Sequence, residues 1–178
     1  IRRAGPPLEA AGVVYDLQKS VRADTHLRTS NRRTYAAGDV CFPHKFTHAA
    51  EATAAVVVQN ALFAPTSRTS TLTIPWCTYT DPEVAHVGSD EQEAVAQGLR
   101  VRVFERALAG MDRAVLDGEE EGLVRIVAHA RTDRVLGATV VARHADEMLG
   151  ELTLAVIQRL RLAGPGREGA PEVVSAPG

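Results

Sequence analysis

The pattern of apolar and polar positions changes character near residue 72: before it, short extended pieces lead into one long, mostly apolar helix, and after it the spacing is that of strands and amphipathic helices. Residues 8–16 and 20–24 read as a helical turn followed by extended pieces, and Thr34-Tyr35-Ala36-Ala37 reads as a β-branched and aromatic strand running into Gly38-Asp39. Thr47 is placed to cap a helix beginning near His48, whose Ala-rich course through Val56, Val57, Val58, Ala61 and Leu62 ends before Pro65. The polar stretch 65–71 marks a domain boundary.

From residue 72 the spacing is that of an α+β domain with an antiparallel sheet. Leu72–Tyr79 is expected as a strand, followed by a turn at Thr80-Asp81-Pro82-Glu83. Ser89 and Gln92 stand as a capping box for a helix ending at Gly98. Arg100–Arg106 alternates, with Val101 and Val103 on one face and Arg102, Phe104 and Arg106 on the other, as in a strand with one face buried. Leu123–Ala130 and Val135–Ala142 are two further strands joined by the polar, hairpin-length Arg131-Thr132-Asp133-Arg134. Between Glu147 and Leu162, Met148, Leu149, Leu152, Ala155, Val156 and Leu160 recur at helical spacing, a stripe that serves either a core or a subunit contact.

Composition adds mainly exclusions. The chain has 178 residues, 45% hydrophobic and 24% charged with net charge −2, so no basic face for nucleic acid is expected. No run approaches the roughly 18 apolar residues of a membrane helix, and Ile1-Arg2-Arg3-Ala4-Gly5-Pro6-Pro7 lacks an apolar leader core, which leaves a cytoplasmic expectation. Cys41 and Cys77 are the two cysteines, far apart in sequence, which argues against a disulfide framework. Each reads as a small buried apolar residue. His44 and His48 lack a third ligand, Pro43 puts His44 in a loop, and no metal site is assigned. Asp117-Gly118-Glu119-Glu120-Glu121-Gly122 reads as a solvated turn. Residues 164–178 have the composition of a disordered tail; their Gly164, Gly166 and Gly169 follow a helix and precede prolines, the wrong context for a dinucleotide loop.

Asp39, at the carboxyl end of the expected strand, is where open α/β sheets place ligands, and Gly38 allows close approach to the backbone. The run from Leu27 to Val40, the pair Lys45–Ala50 and Gln59–Phe63, and Pro75–Gly88 with its Thr80-Asp81-Pro82-Glu83-Val84-Ala85 segment follow one another in an order that resembles the pyridine nucleotide-disulfide oxidoreductases, closest to the mercuric reductase-like branch. The resemblance covers about residues 8–163. It implies a C-terminal portion of such an enzyme: 1–66 the end of an FAD-binding Rossmann-like domain, and 72–163 a dimerisation domain whose antiparallel sheet is flanked by helices.

In the resembled family the residue matching Asp39 binds the ribityl chain of FAD, and the helix after it points its N-terminus at the flavin. The resemblance therefore implies cofactor-binding roles for Gly38, Asp39, Thr47 and His48, with NAD(P)H as cosubstrate and a homodimer through 72–163. A carboxylate suits hydroxyl donors, and the N–H groups of a helix start suit negative charge. The family's N-terminal dinucleotide loop, its Cys-x4-Cys pair and its late His-Pro/Glu pair have no counterpart here, and no histidine follows His144. No catalytic residue is assigned, and the chain alone is expected to be inactive. The competing reading is a stand-alone dimerisation or interaction module without catalysis.

Overall fold

The computed structural model describes residues 8–16 and 20–162. The chain divides between Ile74 and Pro75 into two compact units.

In the first unit, β1 (Tyr15–Asp16) and β2 (Ser20–Val21) form a small antiparallel ribbon, Tyr15 opposite Val21. Val13, Val21 and Ala36 make its buried centre, with Leu8, Tyr15, Ala23 and Cys41 against them. Asp24 organises the loop that follows, its Oδ1 accepting the N–H groups of His26 and Arg28 at 2.9 and 3.0 Å. The strand expected at 34–37 is reduced to a bridge between Tyr35 and Arg28, and residues 38–40 wind into a 3-10 turn. β propensity alone did not make a strand, because a ladder requires a neighbour and here the opposing backbone is a single return of chain.

Helix α1 (Thr47–Leu62) follows. Thr47 is its first residue and not its cap: Ala50 donates to the Phe46 carbonyl at 3.0 Å, so Phe46 holds the cap position and offers no side-chain cap. The helix buries Ala49, Thr53, Val56 and Asn60, a face at three- and four-residue spacing.

The second unit is a five-stranded antiparallel sheet in the order β3 (Trp76–Thr78), β4 (Glu83–Gly88), β7 (Val135–Ala142), β6 (Leu123–His129), β5 (Val101–Ala107). Helix α4 (Ala145–Ile157) lies on one face, with Leu149, Leu152 and Val156 packed over Val87, Val140, Ala85 and Ala138. On the opposite side of the pleat, register sets Trp76, His86, Thr139, Arg125 and Glu105 in one row across all five strands. The row is bonded laterally: the Trp76 and His86 rings lie 5.4 Å apart, His86 Nδ1 meets Thr139 Oγ1 at 2.8 Å, and Arg125 Nε donates to Glu105 at 2.6 Å. Cross-strand pairs of this kind fix register.

Several boundaries differ from the sequence expectation. The first strand is three residues and not 72–79, since Pro75 has no N–H to donate and the ladder opens at Trp76 opposite His86. β4 and the short helix α3 (Asp112–Asp117) were not anticipated. Helix α2 (Glu91–Ala96) is capped by Asp90 with Glu93 and not by Ser89 with Gln92. Ser89 donates its N–H to Leu136 at 3.0 Å, so its backbone belongs to the sheet and the cap falls to the next residue. The last helix ends at Ile157, not Leu162: Arg159 turns at φ 54°, and Leu160 and Leu162 return to bond Val135 and Asp133. The glycine-rich stretch 164–178 lies outside the described residues. No helix among the described residues is long and apolar enough to cross a membrane.

Candidate functional site

The four residues singled out as cofactor contacts gather where the 3-10 turn meets the start of α1. Gly38 sits at φ +67°, and a Cβ built on it would stand 3.0 Å from the Ala50 side chain in the first turn of the helix. Only glycine combines that backbone with that approach. Its N–H donates to Thr53 Oγ1 at 2.9 Å, and its carbonyl accepts from Cys41 and Phe42 at 3.1 and 2.9 Å. Asp39 follows with its side chain exposed, and Lys45 Nζ donates to the Asp39 backbone carbonyl at 2.9 Å.

Thr47 and His48 are exposed on the first turn of α1, where helix N–H groups and the macrodipole concentrate positive charge. The His48 ring stacks on Phe46 at 5.6 Å and 18°. His44 lies instead against Phe42, at 5.5 Å. Among the described residues no group of three or more His, Cys, Asp or Glu side chains converges to hold a metal ion. Cys41 is partly buried beside the turn; burial pushes its thiol up from the ordinary value, and the Lys45 ammonium pulls the other way.

Two residues important to this geometry went unnoticed in the sequence. Thr53 is fully buried and bonded to the turn, while Asn60 on the same face ties α1 to the loops at His26 and Ser67. A buried-face threonine and asparagine in an otherwise Ala/Val helix stripe was the available signal.

The second unit has a cleft of about 550 Å³ whose walls include Asp81, Glu83, Glu119, Glu121, Arg143 and His144. Arg143 is spent on Glu119 at 2.7 Å, which leaves an acidic lining unsuited to phosphate. Glu83 works structurally there: its Oε2 accepts the Asp146 N–H at 3.2 Å, capping α4 from another strand, and lies 3.9 Å from Cys77 Sγ. Burial first, then the Glu83 and Asp146 carboxylates, raise the Cys77 thiol. The outer side of α4 bears a second apolar stripe, with Leu154 and Ile157 55% and 53% exposed.

Residues 74–164 match the family model described as the pyridine nucleotide-disulphide oxidoreductase dimerisation domain. A mercuric reductase of Staphylococcus aureus is 33% identical over 171 residues, 96% of this chain and 31% of its own length. A dihydrolipoyl dehydrogenase of Thermus scotoductus is 36% identical over 155 residues, 87% of this chain and 33% of its own. The chain thus spans about a third of the length of the curated relatives it matches. Among solved structures, LpdA from Mycobacterium tuberculosis superposes with a TM-score of 0.75 at 26% identity, over 89% of this chain and 35% of that one. The HOCl-induced flavoprotein disulfide reductase RclA from Escherichia coli shares the fold, with a TM-score of 0.71 at 22% identity over 86% and 36% of the two chains. By the extent of these matches, the chain belongs to the pyridine nucleotide-disulphide oxidoreductase family and carries its dimerisation domain.

Proposed function

We propose that this chain is the C-terminal portion of a cytoplasmic, homodimeric, FAD- and NAD(P)H-dependent oxidoreductase, with residues 1–66 completing the flavin site and 72–163 forming the subunit contact. The observation that carries this reading is the Gly38–Asp39 turn held against the start of α1. An exposed carboxylate on a turn whose Gly38 packs closely against Ala50, beside the positive end of a helix, fits a polyhydroxyl chain attached to an electron-accepting ring. Asp39 accepts hydroxyl hydrogen bonds; Gly38 lets the backbone approach; Thr47 and His48 present the helix start to negative charge. The chemistry FAD supplies when bound is acceptance of a hydride from NAD(P)H and transfer of the electrons to a disulfide, a metal ion or another acceptor.

These residues orient the cofactor and hold no proton for the reaction. The chain taken alone is therefore inactive in this reading. The test is the longer flavoprotein carrying this sequence, purified and examined for flavin absorbance. Yellow wild-type protein is expected, with FAD bound about 10- to 100-fold more weakly in Asp39→Ala, the scale of hydrogen bonds to a charged acceptor. A folded, colourless wild-type dimer overturns the reading in favour of a dimerisation module.

A further inference from the structure

Thr53 lies in the second turn of α1 and is 0% exposed. Its hydroxyl proton is shared between the Ala49 and Ala50 carbonyls, at 2.8 and 2.9 Å. That alone satisfies a buried helical threonine, the usual outcome being a bond back to the preceding turn. Here the oxygen also receives the Gly38 N–H at 2.9 Å. The turn is closed on itself at the Gly38 carbonyl, which accepts from Cys41 and Phe42, so the bond to Thr53 is what ties its N–H side to the helix. Lys45 holds the next carbonyl, that of Asp39. The Asp39 side chain therefore leaves a backbone fixed before and after it.

We propose that Thr53 is the positioning residue for the flavin-contacting carboxylate: its hydroxyl sets where Asp39 stands relative to the N-terminus of α1. The inference rests on the reading of Asp39 given above. The hydroxyl, and not the volume of the side chain, is the operative group, because the oxygen is the atom of Thr53 that bonds both the turn and the helix backbone. Losing it strands a buried Gly38 N–H, which the turn relieves by shifting.

The experiment compares Thr53→Val, which keeps the shape, with Thr53→Ser, which keeps the hydroxyl, in the longer flavoprotein. Thr53→Val is expected to weaken FAD binding at least about 5-fold, the lower bound for one buried unsatisfied donor. It should also change the visible circular dichroism of the bound flavin and shift its midpoint potential, while dimer mass stays the same. Thr53→Ser is expected to restore all three flavin readouts. Should Thr53→Val not fold, amide hydrogen exchange in the wild type decides: Gly38 N–H is expected to be protected, and fast exchange overturns the proposal. A yellow wild type whose folded Thr53→Val variant matches it in affinity, dichroism and potential overturns the role of Thr53 alone. A colourless wild type removes the flavin reading and this proposal together.

Discussion

Asn60 and Ser67 hold each other through two hydrogen bonds: Asn60 Nδ2 donates to the Ser67 carbonyl at 2.8 Å, and the Ser67 N–H donates to Asn60 Oδ1 at 3.0 Å. The amide thereby imitates a strand neighbour for a residue that has none. Its second N–H reaches the His26 carbonyl at 3.0 Å, so one buried side chain joins the end of α1 to two loops. Tyr35 extends the same junction, its hydroxyl donating to the Asn60 carbonyl at 3.2 Å and receiving Arg28 at 2.8 Å.

Asn60→Ala is accordingly expected to destabilise the first unit by about 1–3 kcal/mol, the cost of leaving buried backbone groups unpaired. Asn60→Asp should be worse, since it abolishes both donors and buries a charge. Urea unfolding followed by circular dichroism measures this; a change within about 0.5 kcal/mol would show that water replaces the amide without cost.

Gly137 faces Gly88 across β7 and β4, and a Cβ on Gly137 would lie 2.2 Å from the Ser89 carbonyl oxygen. The obstacle is backbone, which has no rotamer with which to yield. Gly137→Ala is expected to cost more than about 3 kcal/mol or to prevent folding of the second unit. The fluorescence of Trp76, the single tryptophan, reports unfolding of this sheet directly.

Cys77 is raised above the ordinary thiol value of 9.0 by burial and by the neighbouring Glu83 and Asp146 carboxylates. The folded state thus holds the thiol proton more tightly than the unfolded state. Its stabilising contribution is present below pH 9 and is lost as pH rises through the higher folded value. Iodoacetamide labelling at Cys77 should rise with a midpoint above that of a free thiol, and Glu83→Gln should bring the midpoint down. An unchanged midpoint in Glu83→Gln would remove the carboxylate as a cause.

Leu154 and Ile157 stand on the side of α4 turned away from the sheet, with Gly150 between them on the helical wheel. If this stripe is the subunit contact, Leu154→Glu with Ile157→Glu converts the dimer to monomer without unfolding it, because neither side chain belongs to the buried clusters. Sedimentation velocity across a concentration series makes the measurement. Dimer mass retained at the lowest concentrations would place the contact elsewhere.

The sequence by itself determined the elements whose pattern is locally complete. Two short apolar, β-branched runs, 123–130 and Val135–Ala142, joined by a polar link of hairpin length, specify a hairpin without outside help. The Ala/Val run of α1 and the order of motifs that marks the family were equally local. Tertiary structure decided wherever a backbone group had two possible partners. Ser89 is a good cap by its side chain, yet its N–H is taken by Leu136, and Asp90 caps instead. Tyr35 and Ala36 favour a strand, yet one return of chain opposes them, and the segment winds into the turn that presents Asp39. Gly38-Asp39 stands out in residue order, but the turn that carries the pair is tied to Thr53, fifteen positions beyond Gly38, through a hydrogen bond that no sequence periodicity encodes.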